Sequence, residues 1–275
     1  MQDCLICEVY ENIRASIEGT KYIDVLSSFA VDEVNNQVTV KITDMSYAEG
    51  FRQDICNAEC IHFMKAPQNT TTKSYLKPGG YIGNPSGSYS IGWRGWRTNS
   101  AGNHTVGLVT AAHGIKLKEE ASTYNEHTFG KFVKRRFGGT LDASFAQNTS
   151  KTFDVSNTIK YSGSSLKPGY YVRSSDICVG QKVYKVGMTT ELTSGNVINP
   201  SCTVIYPEEK GGPKTTFTDY VETSCKTDDG DSGGLLYMDF GGAYRIVGIT
   251  ASSNEITSKF VKADNIINKM NIYPY

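Results

Sequence analysis

The pattern of the chain changes after about residue 73, and this change constrains the fold more than any other feature of the sequence. Beyond it, helical periodicity nearly vanishes, and short β-type runs recur between glycine-rich turns, as in YSIGWRGW, TVGLVTAA, QKVYKVG and YRIVGITASS. Many short strands at this spacing indicate a β-sandwich or a β-barrel. The 27 glycines and 17 tyrosines among 275 residues suit a strand-rich chain with many turns. Only the last segment, FVKADNIINKMNI, has helical spacing.

Residues 1–67 have the pattern of a small α/β unit instead. Leu5, Val9 and Ile13 share one face of a predicted helix, and the run VTVKI alternates as a half-buried strand does. A second predicted helix and a short strand complete this unit. The stretch that follows is rich in Thr, Asn, Pro and Gly, which predicts a linker over residues 68–78.

Charge and hydropathy argue against two classes of partner. Lys and Arg together number 28, as do Asp and Glu, so the formal net charge is zero and gives no reason to expect nucleic acid binding. No apolar run approaches the roughly 18 residues that cross a bilayer, so we expect no membrane partner. The N-terminal sequence lacks the basic start and long apolar core of a signal peptide, so we expect any such signal to lie upstream.

The seven cysteines raise the question of a metal site. They are Cys4, Cys7, Cys56, Cys60, Cys178, Cys202 and Cys225, and their odd number leaves at least one unpaired within the chain. The pairs Cys4-x-x-Cys7 and Cys56-x-x-x-Cys60 invite a zinc interpretation. No histidine lies close by, however, and three residues between Cys56 and Cys60 is the wrong spacing for a tight zinc knuckle. We therefore expect no metal and no other cofactor.

The stretch TDDGDSGG, residues 227–234, places Ser232 between an aspartate and two glycines. Gly, Asp and Ser are all turn formers, so a solvent-facing turn is one interpretation. The other is a nucleophile, because a sharp turn at Gly230 exposes backbone N–H groups that can stabilise an oxyanion. In that case Asp231 can pair with a buried cation and hold the turn.

Acyl transfer by a serine also needs a base, and histidine is the usual one because its pKa lies near neutrality. His62, His104 and His127 lie in polar contexts, and we interpret them as surface or structural residues. His113 differs because it ends the apolar strand VGLVTAAHG, where small alanines allow close packing. His113 is therefore the candidate base.

Asp142, in LDASFA, is the candidate for the third group. Its neighbours are apolar, so an unpaired carboxylate there would be costly, and a hydrogen bond to an imidazole would satisfy it. The alternative is that Asp142 caps a turn after Gly138-Gly139, and the local sequence leaves both open. The order His113, Asp142, Ser232 is one of the known orders of a Ser-His-Asp triad.

Taken together, TAAHG, LDASFA and GDSGG resemble the three catalytic motifs of the chymotrypsin-like serine peptidases. VGMTTELTSGNV is similar to a stretch of the bacterial streptogrisin and α-lytic endopeptidase group, and YRIVGITASS to the strand that pairs with substrate. The resemblance covers about residues 73–275. It implies a mainly β chymotrypsin-like fold of two six-stranded β-barrels, residues 79–162 and residues 163–275, the second ending in a helix.

The resemblance also implies roles for individual residues. Ser232 is the expected nucleophile, His113 the general base and then acid, and Asp142 the orienting carboxylate. The backbone N–H groups of Gly230 and Ser232 are expected to form the oxyanion hole. The residues expected to bind the protein or peptide substrate are Asp228, Asp229, Ala251, Ser252 and Ser253.

The N-terminal α/β unit is similar to part of the pro-region of streptogrisin-like enzymes. This similarity implies that residues 1–67 assist folding and inhibit the protease, and that residues 68–78 are the processing zone. The expected product is a secreted or cell-surface enzyme, made as a zymogen and monomeric. A permanent accessory domain is the alternative for residues 1–67.

Two other functions compete with a peptidase. A catalytically silent binding protein on the same scaffold is possible in principle, although such proteins usually lose a triad residue. Residues Gly230 to Gly234 also satisfy the G-x-S-x-G pattern of the α/β-hydrolases. An α/β-hydrolase places its histidine after the serine, however, and no histidine follows Ser232.

The sequence departs from the resemblance at its cysteines. Gly114 stands where relatives carry a cysteine after the catalytic histidine. A Cys202–Cys225 disulfide is slightly favoured over Cys178–Cys202, and a disulfide implies an oxidising compartment.

Overall fold

The computed structural model describes residues 5–66 and 73–275, and the chain divides into two compact units, Met1–Thr72 and Lys73–Tyr275. We call these the N-terminal unit and the C-terminal unit. The elements of the N-terminal unit are α1 (Leu5–Ser16), β1 (Leu26–Asp32), β2 (Gln37–Ile42), α2 (Ala48–Asp54) and β3 (Ile61–Lys65).

The N-terminal unit is a three-stranded sheet with two helices. Strand β1 runs antiparallel to β2, and β2 runs parallel to β3. Val9 and Ile13 of the predicted apolar face of α1 are buried in a core that also contains Val38 and Phe51, whereas Leu5, at the start of the helix, is exposed. Because burial of this face removes apolar surface from water, it stabilises the unit around its own core.

The C-terminal unit consists mainly of short strands. Its elements are β4 (Ser74–Leu76), β5 (Tyr81–Asn84), β6 (Gly87–Ser90), β7 (Trp93–Thr98), β8 (His104–Thr110), β9 (Glu120–Ser122), β10 (Thr128–Gly138), β11 (Leu141–Asn148), β12 (Phe153–Val155), β13 (Leu166–Tyr171), β14 (Lys182–Gly187), β15 (Glu191–Pro207), β16 (Lys214–Thr223), β17 (Leu235–Asp239), β18 (Tyr244–Ser253), β19 (Ser258–Lys262), α3 (Ala263–Met270) and β20 (Tyr273–Pro274).

These strands form two large sheets and confirm the predicted two-barrel, mainly β fold. The first sheet has eight strands in the order β20-β7-β8-β11-β10-β9-β5-β6. The second has the order β13-β18-β17-β14-β15-β16-β19, and an additional β18–β19 pairing closes six of its seven strands into a ring. Strand β13 adds to this ring in parallel to β18, and β4 pairs with β12 in a separate small sheet.

Three apolar clusters explain why the two sheets fold and stay together. One cluster belongs to the first sheet and its surroundings, with Leu108 and Phe132 fully buried. A second belongs to the second sheet, with Phe260 fully buried. The third mixes side chains of both sheets, including Trp93 and Leu235. Because this mixed cluster is buried, the edges of the two sheets that carry the site are fixed against each other.

The C-terminal end of the chain does not stay with the second sheet. Residues 163–275 are predicted to form the second barrel, but Tyr273 and Pro274 pair with β7 of the first sheet. The predicted final helix ends at Met270 and is capped by Asn271, which adopts a left-handed conformation (φ 50°) and donates its N–H to the Ile267 carbonyl. The chain then turns, and Ile272 is fully buried in the mixed cluster.

The predicted linker and the predicted disulfide also differ from what is observed. Strand β4 lies within the predicted linker 68–78, whose first five residues lie outside the described part of the chain. The Cys202–Cys225 disulfide is wrong, as is its Cys178–Cys202 alternative, because all three cysteines are free thiols. Cys202 lies opposite Tyr220 and packs on the mixed cluster, whereas Cys225 is buried in the second-sheet cluster.

The described residues contain neither a membrane-spanning helix nor a cluster of metal-ligating side chains. No helix within 5–66 or 73–275 is long and apolar enough to cross a bilayer. No group of three metal-ligating side chains occurs in the same residues, and Cys4 of the first cysteine pair lies outside them.

Candidate active site

His113 lies just beyond the end of β8, as its position after an apolar strand predicts. Ala111 and Ala112 are fully buried, so the chain packs closely up to the histidine. The imidazole itself is 19% exposed. This placement fixes the backbone of His113 while leaving one edge of its ring at the surface.

Asp142, near the start of β11, is the partner of this imidazole. Its carboxylate is fully buried, and Oδ2 lies 2.6 Å from His113 Nδ1. Oδ1 accepts hydrogen bonds from the N–H groups of Ala112 (2.7 Å) and His113 (2.9 Å). The hydroxyl of Tyr206, 2.8 Å away, donates to Oδ2. Asp142 therefore binds the histidine, and the turn-capping alternative is not observed.

The protonation of this pair follows from these contacts. Because an ionised carboxylate only accepts, His113 Nδ1 must carry the proton, which leaves Nε2 free to act as a base. Burial disfavours the charge on Asp142, but His113 and the other donors outweigh it and hold the pKa of Asp142 below its ordinary value. Burial also acts to lower the pKa of His113, but the charge of Asp142 overcomes it and raises that pKa.

Ser232 lies in the loop between β16 and β17, in the turn that TDDGDSGG predicts. Gly230 has φ +93° and Gly233 has φ +83°, a region that favours glycine. A Cβ at Gly233 would lie only 2.0 Å from Thr110 Oγ1, at the end of β8. The glycine therefore lets the serine turn pack directly against the strand that leads to His113.

Asp231 holds this turn through a buried ion pair with Lys185 of β14. Both side chains are fully buried, and Lys185 Nζ lies 2.8 Å from Asp231 Oδ2. The N–H groups of Thr189 (3.0 Å) and Thr190 (3.1 Å) donate to Oδ1. Burial opposes ionisation, but these partners lower the pKa of Asp231. The predicted buried cation for Asp231 is thus Lys185.

Two backbone N–H groups in this turn remain unused. Thr189 Oγ1 donates to the Asp229 carbonyl (2.7 Å), and the N–H of Gly234 donates to the Asp231 carbonyl (2.8 Å). In a planar trans peptide the N–H points away from the carbonyl, so the N–H groups of Gly230 and Ser232 point away from these two anchors. Neither donates a hydrogen bond within residues 5–66 or 73–275.

One cleft of about 430 Å³ is lined by most of the residues that the sequence singled out, although not by Asp142 or Gly230. Its lining includes His113, Ser232, Asp228, Asp229, Ala251, Ser252 and Ser253. A second cavity of about 460 Å³ shares Thr227, Asp228 and Ser253 with it. No hydrogen bond joins His113 to Ser232 in the described part of the chain. Hydrogen bonds between a nucleophile and its base are often long in the absence of substrate, so the lack of this bond does not argue against a nucleophile–base pair.

Several residues of this site carry no motif in the sequence. Tyr206 lies in a segment without a local chemical signal. Thr189 lies in VGMTTELTSGNV, but that resemblance did not assign it a role, because its role depends on a contact with the distant Asp229. Lys185 had a usable signal, because it is the one charged residue in the apolar run YKVG. A buried lysine in such a strand needs a buried acid.

A serine, a histidine and a buried aspartate at one cleft, carried by two β-barrels, define a chymotrypsin-like serine protease scaffold. No known family model matches the chain, and no curated protein matches it. Several solved structures are similar to the chain. Nocardiopsis protease is 25% identical with a TM-score of 0.58, over 73% of this chain and 99% of that chain. Thermobifida fusca protease A is 19% identical with a TM-score of 0.59, over 73% and 98%. An α-lytic protease homolog is 17% identical with a TM-score of 0.57, over 73% and 99%.

These matches confirm the fold class and the resemblance to bacterial chymotrypsin-like serine proteases that the motifs predict. They extend over nearly the full length of each neighbour. Together with the geometry of the cleft, they support a protease scaffold.

The buried ion pair predicts a large loss of stability when its cation is removed. Lys185→Met leaves Asp231 buried without its partner, so we expect the free energy of unfolding to fall by about 3–5 kcal/mol, measured by urea denaturation near pH 7. Because the folded-state pKa of Asp231 is depressed, its contribution is complete above about pH 4 and is lost as the pH falls further.

Two variants control this measurement. Lys182→Met changes an exposed lysine on the same strand and should alter stability little. The double variant Lys185→Met/Asp231→Asn leaves no buried charge and should recover part of the loss. If Lys185→Met were no more destabilising than Lys182→Met, the ion pair would not be holding the turn.

Proposed function

We propose that this chain is a serine endopeptidase that hydrolyses peptide bonds through Ser232, His113 and Asp142. One observation carries the proposal. An ionised, fully buried Asp142 orients His113 at the cleft that Ser232 lines, beside two unused N–H groups. A satisfied structural histidine would not need that combination.

In the proposed reaction, His113 Nε2 takes the hydroxyl proton of Ser232 as Oγ attacks the scissile carbonyl carbon. The developing oxyanion accepts hydrogen bonds from the N–H groups of Gly230 and Ser232. His113 then gives the proton to the leaving amine, and an acyl-enzyme on Ser232 remains. Water, deprotonated by His113, then attacks the acyl carbon. His113 returns this proton to Ser232 Oγ as the bond to the acyl group breaks, which releases the second product and restores the enzyme.

The end of β18 is the proposed binding edge for the substrate backbone. Strand β17 begins at Leu235, which pairs with Ile249, so Ala251 to Ser253 have a strand partner only on the β19 side. These three residues line the cleft on their other side. An extended peptide can pair with such an open edge, which supports a protein or peptide substrate.

For the N-terminal unit we propose a pro-region that inhibits the protease until residues 68–78 are cut. The similarity of residues 1–67 to a streptogrisin-type pro-region supports this proposal, as does the fact that the unit has a core of its own. A zymogen of this type fits export to the cell surface or beyond and a monomeric product. The absent Cys202–Cys225 disulfide removes one argument for an oxidising compartment.

A catalytically silent scaffold is the competing function. It predicts no selection for a free oxyanion site or an oriented base. The unused N–H groups of Gly230 and Ser232 and the His113–Asp142 contact favour the enzyme instead.

Labelling with a fluorophosphonate probe tests the proposal. We expect Ser232 to be labelled after limited proteolysis within residues 68–78, as identified by mass spectrometry, and labelling to be slow before it. Because neutral His113 is the base, the labelling rate should rise with pH through the raised pKa of His113.

Ser232→Ala should abolish labelling, whereas Ser175→Ala, at an exposed serine, should not change it. Equal labelling without cleavage would make residues 1–67 an accessory domain. No labelling of folded protein in either state would make the chain a silent scaffold.

A second prediction concerns the anchor of the oxyanion site. Thr189→Val removes the hydroxyl that holds the Asp229 carbonyl, so the Gly230 N–H loses its fixed orientation. We expect kcat to fall roughly tenfold with KM little changed, less than the ~10²–10³ that follows removal of an oxyanion donor.

Thr193→Val is the matched control, because the Thr193 hydroxyl donates to the Lys226 carbonyl (2.9 Å) instead. It should retain most of kcat in the same peptide hydrolysis assay. Equal kcat in the Thr189 variant and the natural protein would contradict the assigned orientation of the Gly230 N–H.

A further inference from the structure

Tyr206 lies in the second sheet and reaches across to the carboxylate of the first. It stands near the end of β15, and its hydroxyl lies 2.8 Å from Asp142 Oδ2. Asp142 belongs to β11, 64 residues earlier in the chain. The two residues therefore meet only because the two sheets pack together.

The direction of this hydrogen bond is fixed by the chemistry of the two groups. An ionised carboxylate has no proton, so the Tyr206 hydroxyl donates to Asp142. Burial and the nearby charge of Asp142 raise the pKa of Tyr206, which keeps it protonated. The Tyr220 hydroxyl lies 3.2 Å from the Tyr206 oxygen and can donate to it, because the Tyr206 proton is already used. A hydrogen-bonded chain thus runs from Tyr220 through Tyr206 to Asp142.

The ring of Tyr206 is held independently of this chain. It stacks on Phe217, with ring centroids 4.4 Å apart and an interplanar angle of 14°. It also makes an edge contact with Phe137 at 6.1 Å. An aromatic ring packed on two sides has little freedom, so its hydroxyl is in position before any substrate binds.

A second contact links the β15–β16 hairpin, formed by the antiparallel strands on either side of residues 208–213, to the segment that carries the histidine. Glu208, two residues after Tyr206, forms an ion pair with Arg135 of β10. The Nε–H of Arg135 donates to the Ala112 carbonyl (3.2 Å), directly before His113. The end of β15 therefore contacts the carboxylate directly, and Glu208 just beyond it is linked through Arg135 to the backbone that precedes the imidazole.

We propose that Tyr206 is a positioning residue, which acts through Asp142 to set the orientation and basicity of His113. The proposal builds on the proposed peptidase function. Asp142 Oδ2 is shared between two donors, the Tyr206 hydroxyl and His113 Nδ1. Each donor limits how strongly the other interacts with that oxygen. The Tyr206 hydroxyl therefore weakens the hydrogen bond and the electrostatic attraction between Asp142 and the imidazole.

Other groups near His113 also influence its pKa. The charge of Arg135 lowers the pKa of His113, in opposition to Asp142. The Tyr89 ring lies 5.8 Å from the imidazole, and its own pKa is raised to about 12, mainly by burial and then by Asp142, Glu119 and Glu209. These groups are unchanged in a Tyr206 variant, so a shift reports the lost hydroxyl.

Tyr206→Phe removes the hydroxyl and keeps the ring. With its second donor gone, Asp142 interacts more strongly with protonated His113, so we expect the pKa of His113 to rise by about 0.5 to 1. The measurement is an NMR titration of ¹⁵N-labelled histidines in the full chain, with the His113 signal assigned by its loss in His113→Gln. In peptide hydrolysis, kcat should fall roughly tenfold with KM little changed, and the acid limb of the pH profile should move upward.

Two further variants complete the test. Tyr220→Phe weakens the same chain from outside and should shift the pKa of His113 in the same direction by less. It also carries the test if Tyr206→Phe does not fold. Tyr184→Phe changes a partly buried tyrosine that stacks on Tyr237, away from the cleft, and should leave the titration unchanged.

An unchanged His113 titration in folded Tyr206→Phe would overturn the proposal and make Tyr206 a structural residue only. The titration needs no enzymatic activity. A chain without peptidase activity or fluorophosphonate labelling would therefore overturn the proposed function, while the NMR result would still decide the role of Tyr206.

Discussion

The site depends on one fully buried carboxylate. Asp142 has no access to water, so its charge must be balanced by hydrogen bonds from the protein. It receives four: two from backbone N–H groups, one from His113 and one from Tyr206. Because these donors come from the segment after β8 and from β15, the carboxylate can be satisfied only when both sheets are in place. The base is therefore oriented only where the two barrels pack against each other.

The turn that carries Ser232 also depends on a buried carboxylate whose charge is balanced by the protein. Asp231 is balanced by Lys185 and by the N–H groups of the segment after β14, and it holds the backbone on either side of Ser232. The glycines at 230 and 233 allow the turn, but the ion pair and the carbonyl anchors decide where its free N–H groups point. An oxyanion site built from backbone groups needs this rigidity, because its donors must be in position before charge develops.

The features of the fold and of the site that depend on local sequence could be predicted. The strand pattern predicts the fold class, and TAAHG, LDASFA and GDSGG identify His113 and Ser232, which line one cleft, and the buried Asp142 that contacts His113. The hairpin donor Tyr206 and the carbonyl anchor Thr189 could not be predicted, because each acts on a residue far away in sequence. The return of β20 to the first sheet depends on burial of Ile272, which no motif marks. The Cys202–Cys225 pairing failed because the two thiols pack in different clusters.

The most direct test of a preformed triad and oxyanion site is a crystal structure with a peptide boronic acid, which forms a tetrahedral adduct with a reactive serine. We expect a bond from boron to Ser232 Oγ. We also expect one boronate oxygen about 2.7–3.1 Å from the backbone nitrogens of both Gly230 and Ser232. His113 Nε2 should lie within hydrogen-bond reach of the adduct. An adduct whose oxygen contacts neither nitrogen, or a boronic acid that does not bond to Ser232, would contradict a preformed site.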